Sequence, residues 1–231
     1  MKFSVVMSIT EEGGIGKDGN VPWRIPEDLK RFQNITKNSI VIMGRKTWES
    51  IPIHLRPLKE RICIVISNKI NESNFLQKEV QFTDMCYNIE KNLKWKYVEF
   101  VGCPISAIQR CKELQSYSIF QNYSVNLIGG PQCLEWFFKN SKITKIYLTV
   151  IHSKVECDVY WNYMKYIKNL ENTENNKNNK NNKIMKEIIL DSGITKNKVY
   201  PYQNLEWTFK EYICENRENK KNIFNFVKKN K

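Results

Sequence analysis

The sequence contains no apolar run long enough to cross a membrane. Its longest, such as Ile40 to Met43 and Ile62 to Ile66, stop far short of the roughly 20 residues that a spanning helix needs. Only two histidines are present, His54 and His152, which excludes a histidine-rich metal centre, so no metal is expected. The seven cysteines, at positions 63, 86, 103, 111, 133, 157 and 214, are odd in number and form no C-x-x-C pair. Reduced thiols are therefore expected, rather than a disulfide framework or a zinc site. The apolar opening FSVVMSI runs into acidic residues and glycines rather than a small-residue cleavage site, so a cytoplasmic location is expected and a secretory signal is not. No zinc-finger, RNP-like or OB-like pattern accompanies the net charge of +13, and nucleic acid is not the expected partner. Part of that charge lies in NTENNKNNKNNK, residues 172–183, and part in the basic end of the chain; both read as solvated segments. Attraction of anionic small molecules is the remaining consequence of the charge.

What is present fits a globular chain: 231 residues, 41% of them hydrophobic, with enough length to bury a substantial core. Phe3 to Ile9 reads as a strand. Pro26 stands where a first helical position would be, with Glu27 and Asp28 in the first turn and Leu29, Phe32 and Ile35 at helical spacing. SIVIM leads into GRKTWES, RICIVIS forms a further strand, and a helix is expected between Phe82 and Leu93. YVEFVG precedes a helix over 105–114, SVNLIGG enters PQCLEWFF, and KIYLTVI, 184–191 and 205–214 are late strands. Four strand-then-helix passages predict an α/β fold with a largely parallel sheet covered on both faces and antiparallel strands near the C-terminus. Ligands of such sheets gather outside the carboxyl ends of the strands.

Several segments at those ends carry chemistry. GIGKDG, residues 14–19, satisfies G-x-G-x-x-G, but NVPW follows instead of a helix, so 13–20 reads as a mobile glycine-rich loop and not a dinucleotide fingerprint. Asp28 and Glu27 both suit a helix start electrostatically. Asp28 shares a helix face with Phe32, and burial against Trp23 and Phe32 would raise its pKa towards neutrality. GRKT, residues 44–47, combines a glycine, two cations and a hydroxyl after a strand, a set suited to a phosphorylated cofactor or to a plain solvated helix start. IGG, residues 128–130, allows close backbone approach to a ligand, or simply a tight turn. Arg61 has the chemistry to clamp a carboxylate, and Thr149 offers a hydroxyl either to the core or to a site.

Taken in order, GIG, VPW, PEDL with Phe32, IVIMGRKTWESIP, RPLKERICIVIS, LIGG, IYLTVI and ECD closely resemble dihydrofolate reductase, over residues 3–161 and again at WTFKEYICE, 207–215. The resemblance implies a mainly parallel eight-stranded sheet flanked by helices and hydride transfer from NADPH to C6 of dihydrofolate, with protonation at N5. It implies that Asp28 anchors the pterin and supports that protonation, with Trp23 screening the site and contacting ordered water. Phe32 would pack on the pterin and aminobenzoyl parts, Arg61 would grip the α-carboxylate beside Leu58, and Thr149 would act through water. Val6, Met7, Leu29, Ser50, Ile51 and Ile128 complete the implied substrate residues. For the cofactor it implies Met7, Ile15, Gly16, Gly44, Arg45, Lys46, Thr47, Ser67, Asn68, Gly129, Gly130, Gln132 and Cys133, with Asp158 a structural acid near the covering loops.

The sequence departs from the family pattern at Val21, Pro131, Leu134 and Met7, and at Tyr160 and Trp161, which read as packing. Residues 1–215 are expected to form one domain with the Asn/Lys insertion at about 172–183, and 216–231 a basic tail or the start of a linker. Dihydrofolate and antifolate inhibitors are the implied partners of a monomer, unless the chain belongs to a larger bifunctional protein with thymidylate synthase. The alternatives are an NADPH-dependent pyrimidine reductase of riboflavin synthesis and a non-catalytic ligand-binding relative.

Overall fold

A computed structural model describes residues 1–69, 75–171, 183–196, 202 and 204–216. Strands β3 (Ser39–Gly44) and β4 (Arg61–Ile66) are buried along almost their whole length, because both of their faces are covered. They belong to an eight-stranded sheet with β1 (Phe3–Thr10), β5 (Tyr97–Val101), β6 (Val125–Leu127), β7 (Ile143–Ile151), β9 (Lys183–Lys196) and β10 (Asn204–Asn216). The spatial order is β5-β4-β3-β6-β1-β7-β10-β9. All pairings are parallel except those of β10, which runs antiparallel to both β7 and β9. This is the mainly parallel sheet with antiparallel C-terminal strands that the patterning predicts.

Alternation along the strands divides the core into two layers. Ile40, Ile42, Ile62 and Ile64 point into one cluster with Val5, Leu127 and Phe137. Val41, Met43, Cys63 and Val65 point into the other with Val6 and Ile128, against Phe32, Trp48, Ile51 and Leu58. The second layer lies beneath α1 (Pro26–Thr36) and α2 (Arg45–Ser50). The first lies beneath α3 (Phe75–Glu90), α4 (Pro104–Ser116) and α5 (Pro131–Asn140). Proline opens α1, α4 and α5, where its fixed φ suits the first turn and its missing N–H is no loss.

Three features differ from the sequence expectation. Helix α3 begins earlier than Phe82 and ends at Glu90, because Asn92 takes a left-handed conformation (φ 53°) that a continuing helix does not permit. A second sheet pairs β2 (Gly14–Gly16) with the two-residue β8 (Val159–Tyr160), too short to leave a pattern in sequence. Helix α6 (Tyr163–Glu171) follows it, with Trp161 and Tyr166 stacked beside Phe138 of α5. Residues 172–182 of the Asn/Lys stretch and residues 217–231 lie outside the described residues.

Leu134 is fully buried in the first layer, on the inner face of α5. Leu134→Ala is expected to cost about 2–5 kcal/mol of stability. Urea denaturation measures this, and an unchanged midpoint would show that the position is not part of the packed core.

Candidate active site

Asp28 lies in the first turn of α1, directly above the seam between β1 and β7. Ser8 and Thr149 are register partners across that seam, so two hydroxyls on neighbouring strands reach the same helix turn. Thr149 donates its hydroxyl to Asp28 Oδ1, and Ser8, on the neighbouring strand, lies near enough to the carboxylate to favour its ionised form. The Trp23 indole Nε1 donates to Ser8 Oγ at 2.7 Å. Burial pushes the Asp28 carboxyl above its ordinary range, while Thr149, Arg31 and Ser8 pull it back.

Glu27 turns elsewhere. Its Oε2 accepts from Thr195 Oγ1 at 2.9 Å, and Trp207 Nε1 donates to the same threonine oxygen at 3.0 Å, pinning the start of α1 to β9 and β10. Geometry thus separates the two adjacent acids: Glu27 anchors, and Asp28 faces the strand ends.

Apolar residues gather between α1 and the sheet, on the layer that Phe32 of the same helix packs against. Val6 and Ile128 form part of that layer, and Ile51 and Leu58 also pack against it. Leu29 is exposed on α1, and Ser50 donates to the Thr47 carbonyl at 2.8 Å. Arg61 is buried beside the C-terminal half of α1. Its Nε donates to Thr36 Oγ1 at 3.1 Å, while Nη1 and Nη2 donate to the carbonyls of Lys59 and Gln33. These bonds fix the direction of the guanidinium.

On the other side, the junctions after β3 and β6 are joined, with Gly44 N–H donating to the Gly129 carbonyl at 3.1 Å. Gly129 has φ 133°, and a Cβ placed there would approach Thr47 Oγ1 to 3.1 Å, so a side chain here would be both strained and crowded. Gly130 caps α5 without a side-chain hydrogen bond, and Pro131 carries no N–H, which leaves the amides of Gln132 and Cys133 as the donors of the first turn. The Cys133 side chain itself is in the core, its thiol pushed up to about 12 by burial. Arg45 is paired with Glu49 one turn along α2, and Lys46 is exposed. Ser67 is buried and accepts from the Lys69 amide, and Asn68 is exposed.

The glycine-rich segment is partly strand. Gly14 and Gly16 pair with β8, and Asp158 fastens the turn beyond by accepting from the Asp18 amide at 2.8 Å and donating its own amide to the Gly16 carbonyl. Ile15, between those glycines, is partly buried against the first layer, as is Met7.

Residues 2–191 match the family model described as dihydrofolate reductase. The chain belongs to the dihydrofolate reductase family. It is 33% identical over 168 residues to the dihydrofolate reductase of Schistosoma mansoni, covering 69% of this chain and 77% of that protein. A putative dihydrofolate reductase of Caenorhabditis elegans is 29% identical over 166 residues, covering 69% and 76%. The bifunctional dihydrofolate reductase-thymidylate synthase of Zea mays is 33% identical over 165 residues, covering 68% of this chain. The match spans only 28% of that longer relative.

The sequence singles out Asp28, Trp23 and Thr149: Thr149 donates to Asp28, and Trp23 donates to Ser8, the register partner of Thr149. It did not point to Ser8 or Arg31. Ser8 is one of two serines in the strand FSVVMSI, and only the β1/β7 register gives it a place beside Thr149. Arg31, three residues beyond Asp28, reads in sequence as an ordinary helix cation. No helix among the described residues is long and apolar enough to cross a membrane.

The raised Asp28 pKa has a signed consequence for stability. In acid, below the unfolded value near 3.8, the group is neutral in both states and contributes nothing. As pH rises the unfolded chain ionises first, so stability falls until the higher folded pKa is passed. Asp28→Asn is therefore expected to be more stable than the parent near neutrality, with the gain vanishing in acid. Thermal unfolding across pH measures it, and a gain that is largest in acid would contradict the burial argument.

Proposed function

We propose that this chain reduces 7,8-dihydrofolate to 5,6,7,8-tetrahydrofolate with NADPH. The observation that carries the reading is the Asp28 carboxylate, held by Thr149 near Ser8 at the start of α1, with apolar Phe32 on the same helix and a fixed arginine, Arg61, against its far end. A flat, amide-rich heterocycle with an aromatic body and a carboxylate tail matches that sequence of groups. Asp28 accepts from N3 and the 2-amino group of the pterin, Phe32 and Ile51 pack on the aromatic body, and Arg61 receives the α-carboxylate.

The negative charge of Asp28 favours the protonated form at N5 without touching that atom, since burial strengthens its field. Trp23, tied to Ser8, closes the site above the pterin and leaves room for water as the final proton donor. NADPH supplies the hydride to C6 when bound. The residues fit it: the bare Gly129–Gly130 path and the free amides of Gln132 and Cys133 suit a pyrophosphate, and Thr47, Arg45 and Lys46 suit phosphate charge. Ser67 and Asn68 serve the adenosine end, and Met7, Ile15 and Gly16 the nicotinamide end.

The reading takes residues 1–215 as one catalytic domain carrying the insertion at about 172–183, with 216–231 a tail or linker. It describes a cytoplasmic monomer, sensitive to antifolates, unless a thymidylate synthase domain is joined to it as in the bifunctional relatives.

Loss of NADPH absorbance on mixing with dihydrofolate, blocked by an antifolate, tests the activity, and no loss would overturn it. Asp28→Asn is expected to keep NADPH affinity while turnover at neutral pH falls about a hundredfold or more; full turnover would sink its role. Arg61→Gln should weaken folate binding about tenfold or more, and unchanged affinity for folate and its analogues would contradict the carboxylate assignment.

A further inference from the structure

Arg31 stands one helical turn beyond Asp28, half-buried between α1 and the strands β7 and β10. Its Nη1 donates to the Leu148 carbonyl at 2.8 Å and to Thr149 Oγ1 at 3.4 Å, and its Nη2 donates to the Lys210 carbonyl at 3.1 Å. Leu148 and Lys210 are register partners, so the guanidinium bridges the two strands at one level. The ladder between β10 and β9 is irregular at Phe209/Lys210, where this contact is made. The guanidinium also lies 4.6 Å over the Phe209 ring.

We propose that Arg31 is a positioning residue for the folate site: fixed on the Leu148 and Lys210 carbonyls, it turns the Thr149 hydroxyl towards Asp28 and holds a permanent positive charge behind that carboxylate. The inference rests on the reading of Asp28 as the pterin anchor. A threonine hydroxyl has one proton. When Arg31 donates into its oxygen, that proton is directed to the other partner, Asp28 Oδ1.

The other charges facing Arg31 have partners of their own. Glu211 pairs with Lys145 at 3.0 Å, the Lys210 ammonium pairs with Glu187 at 3.0 Å, and Glu27 accepts from Thr195. Asp191 of β9 accepts from the Ser192 amide, Lys30 of α1 is exposed, and Tyr147 presents its ring. Asp28 is the foremost charge acting on the guanidinium, which in turn stabilises the ionised carboxylate against the cost of its burial. With substrate bound, the same cation opposes protonation at N5. Arg31 therefore sets the upper end of the working pH range.

The test is the single-turnover rate of hydride transfer across pH in the parent, Arg31→Lys, Arg31→Gln and Arg31→Met. An inactive parent would overturn the folate reading itself. With an active parent, removing the charge is expected to move the fall-off of rate to higher pH. The ratio of the rate at about pH 9 to that at about pH 6 then rises about threefold or more in Arg31→Gln, and Arg31→Lys keeps the parent ratio. Arg31→Met, which retains the stem's packing on Phe209, is read in the same way and decides if the Gln variant does not fold. A uniform loss of rate with an unchanged ratio, or the same displacement in Lys as in Gln, overturns the proposal.

Discussion

The structure turns on one partly buried carboxylate held where two parallel strands meet a helix. Asp28 is kept at the β1/β7 seam by the Thr149 hydroxyl, with the Ser8 hydroxyl beside it, and the two hydroxyls are brought together by the register of Ser8 and Thr149. A slip of one residue in either strand would replace a hydroxyl with an apolar neighbour and leave a buried charge with fewer donors. The seam is thus constrained by the site as well as by the core. Burial that raises the Asp28 carboxyl costs stability near neutrality, a cost expected where a residue is placed for function rather than for the fold.

The alternation of strand residues gives the two faces of the sheet different neighbours. Val6 faces the layer beneath α1, where Phe32, Ile51 and Leu58 gather, while Met7 and Ile15 pack against the opposite layer. Successive residues of β1 therefore face opposite sides of the sheet, the two sides that the proposed function assigns to substrate and cofactor. Between these layers, the glycine junction after β6 works because it carries no side chain: Thr47 already fills the space that a Cβ on Gly129 would need.

Much of this was legible in sequence because it depends on local patterns. Unbroken apolar runs marked β3 and β4, Pro26 and the spacing to Phe32 marked α1, and the strand-helix alternation indicated a parallel sheet. The β2/β8 pair was hidden because it is made across some 140 residues by segments too short for any periodicity. For the same reason residues 13–20 read as a loop in sequence although Gly14–Gly16 form a strand. The helix over 163–171 was hidden between an aromatic cluster and the Asn/Lys stretch. Ser8 and Arg31 could be seen as residues but not as parts of a site, since their roles come from strand register and from a carbonyl on β10.

The two acids of the PEDL segment show how the late strands enter the site. Consecutive helix residues point about 100° apart, so Glu27 meets Thr195 and Trp207 while Asp28 meets the β1/β7 seam. Helix α1 is thereby fastened at its first turn to both halves of the sheet. Strand β10 adds the Phe209 ring and the Lys210 carbonyl that hold Arg31. The family match ends at residue 191, before β10 begins. The surroundings of the carboxylate therefore extend beyond the segment that the family match covers, because β10 holds the arginine one helical turn from it.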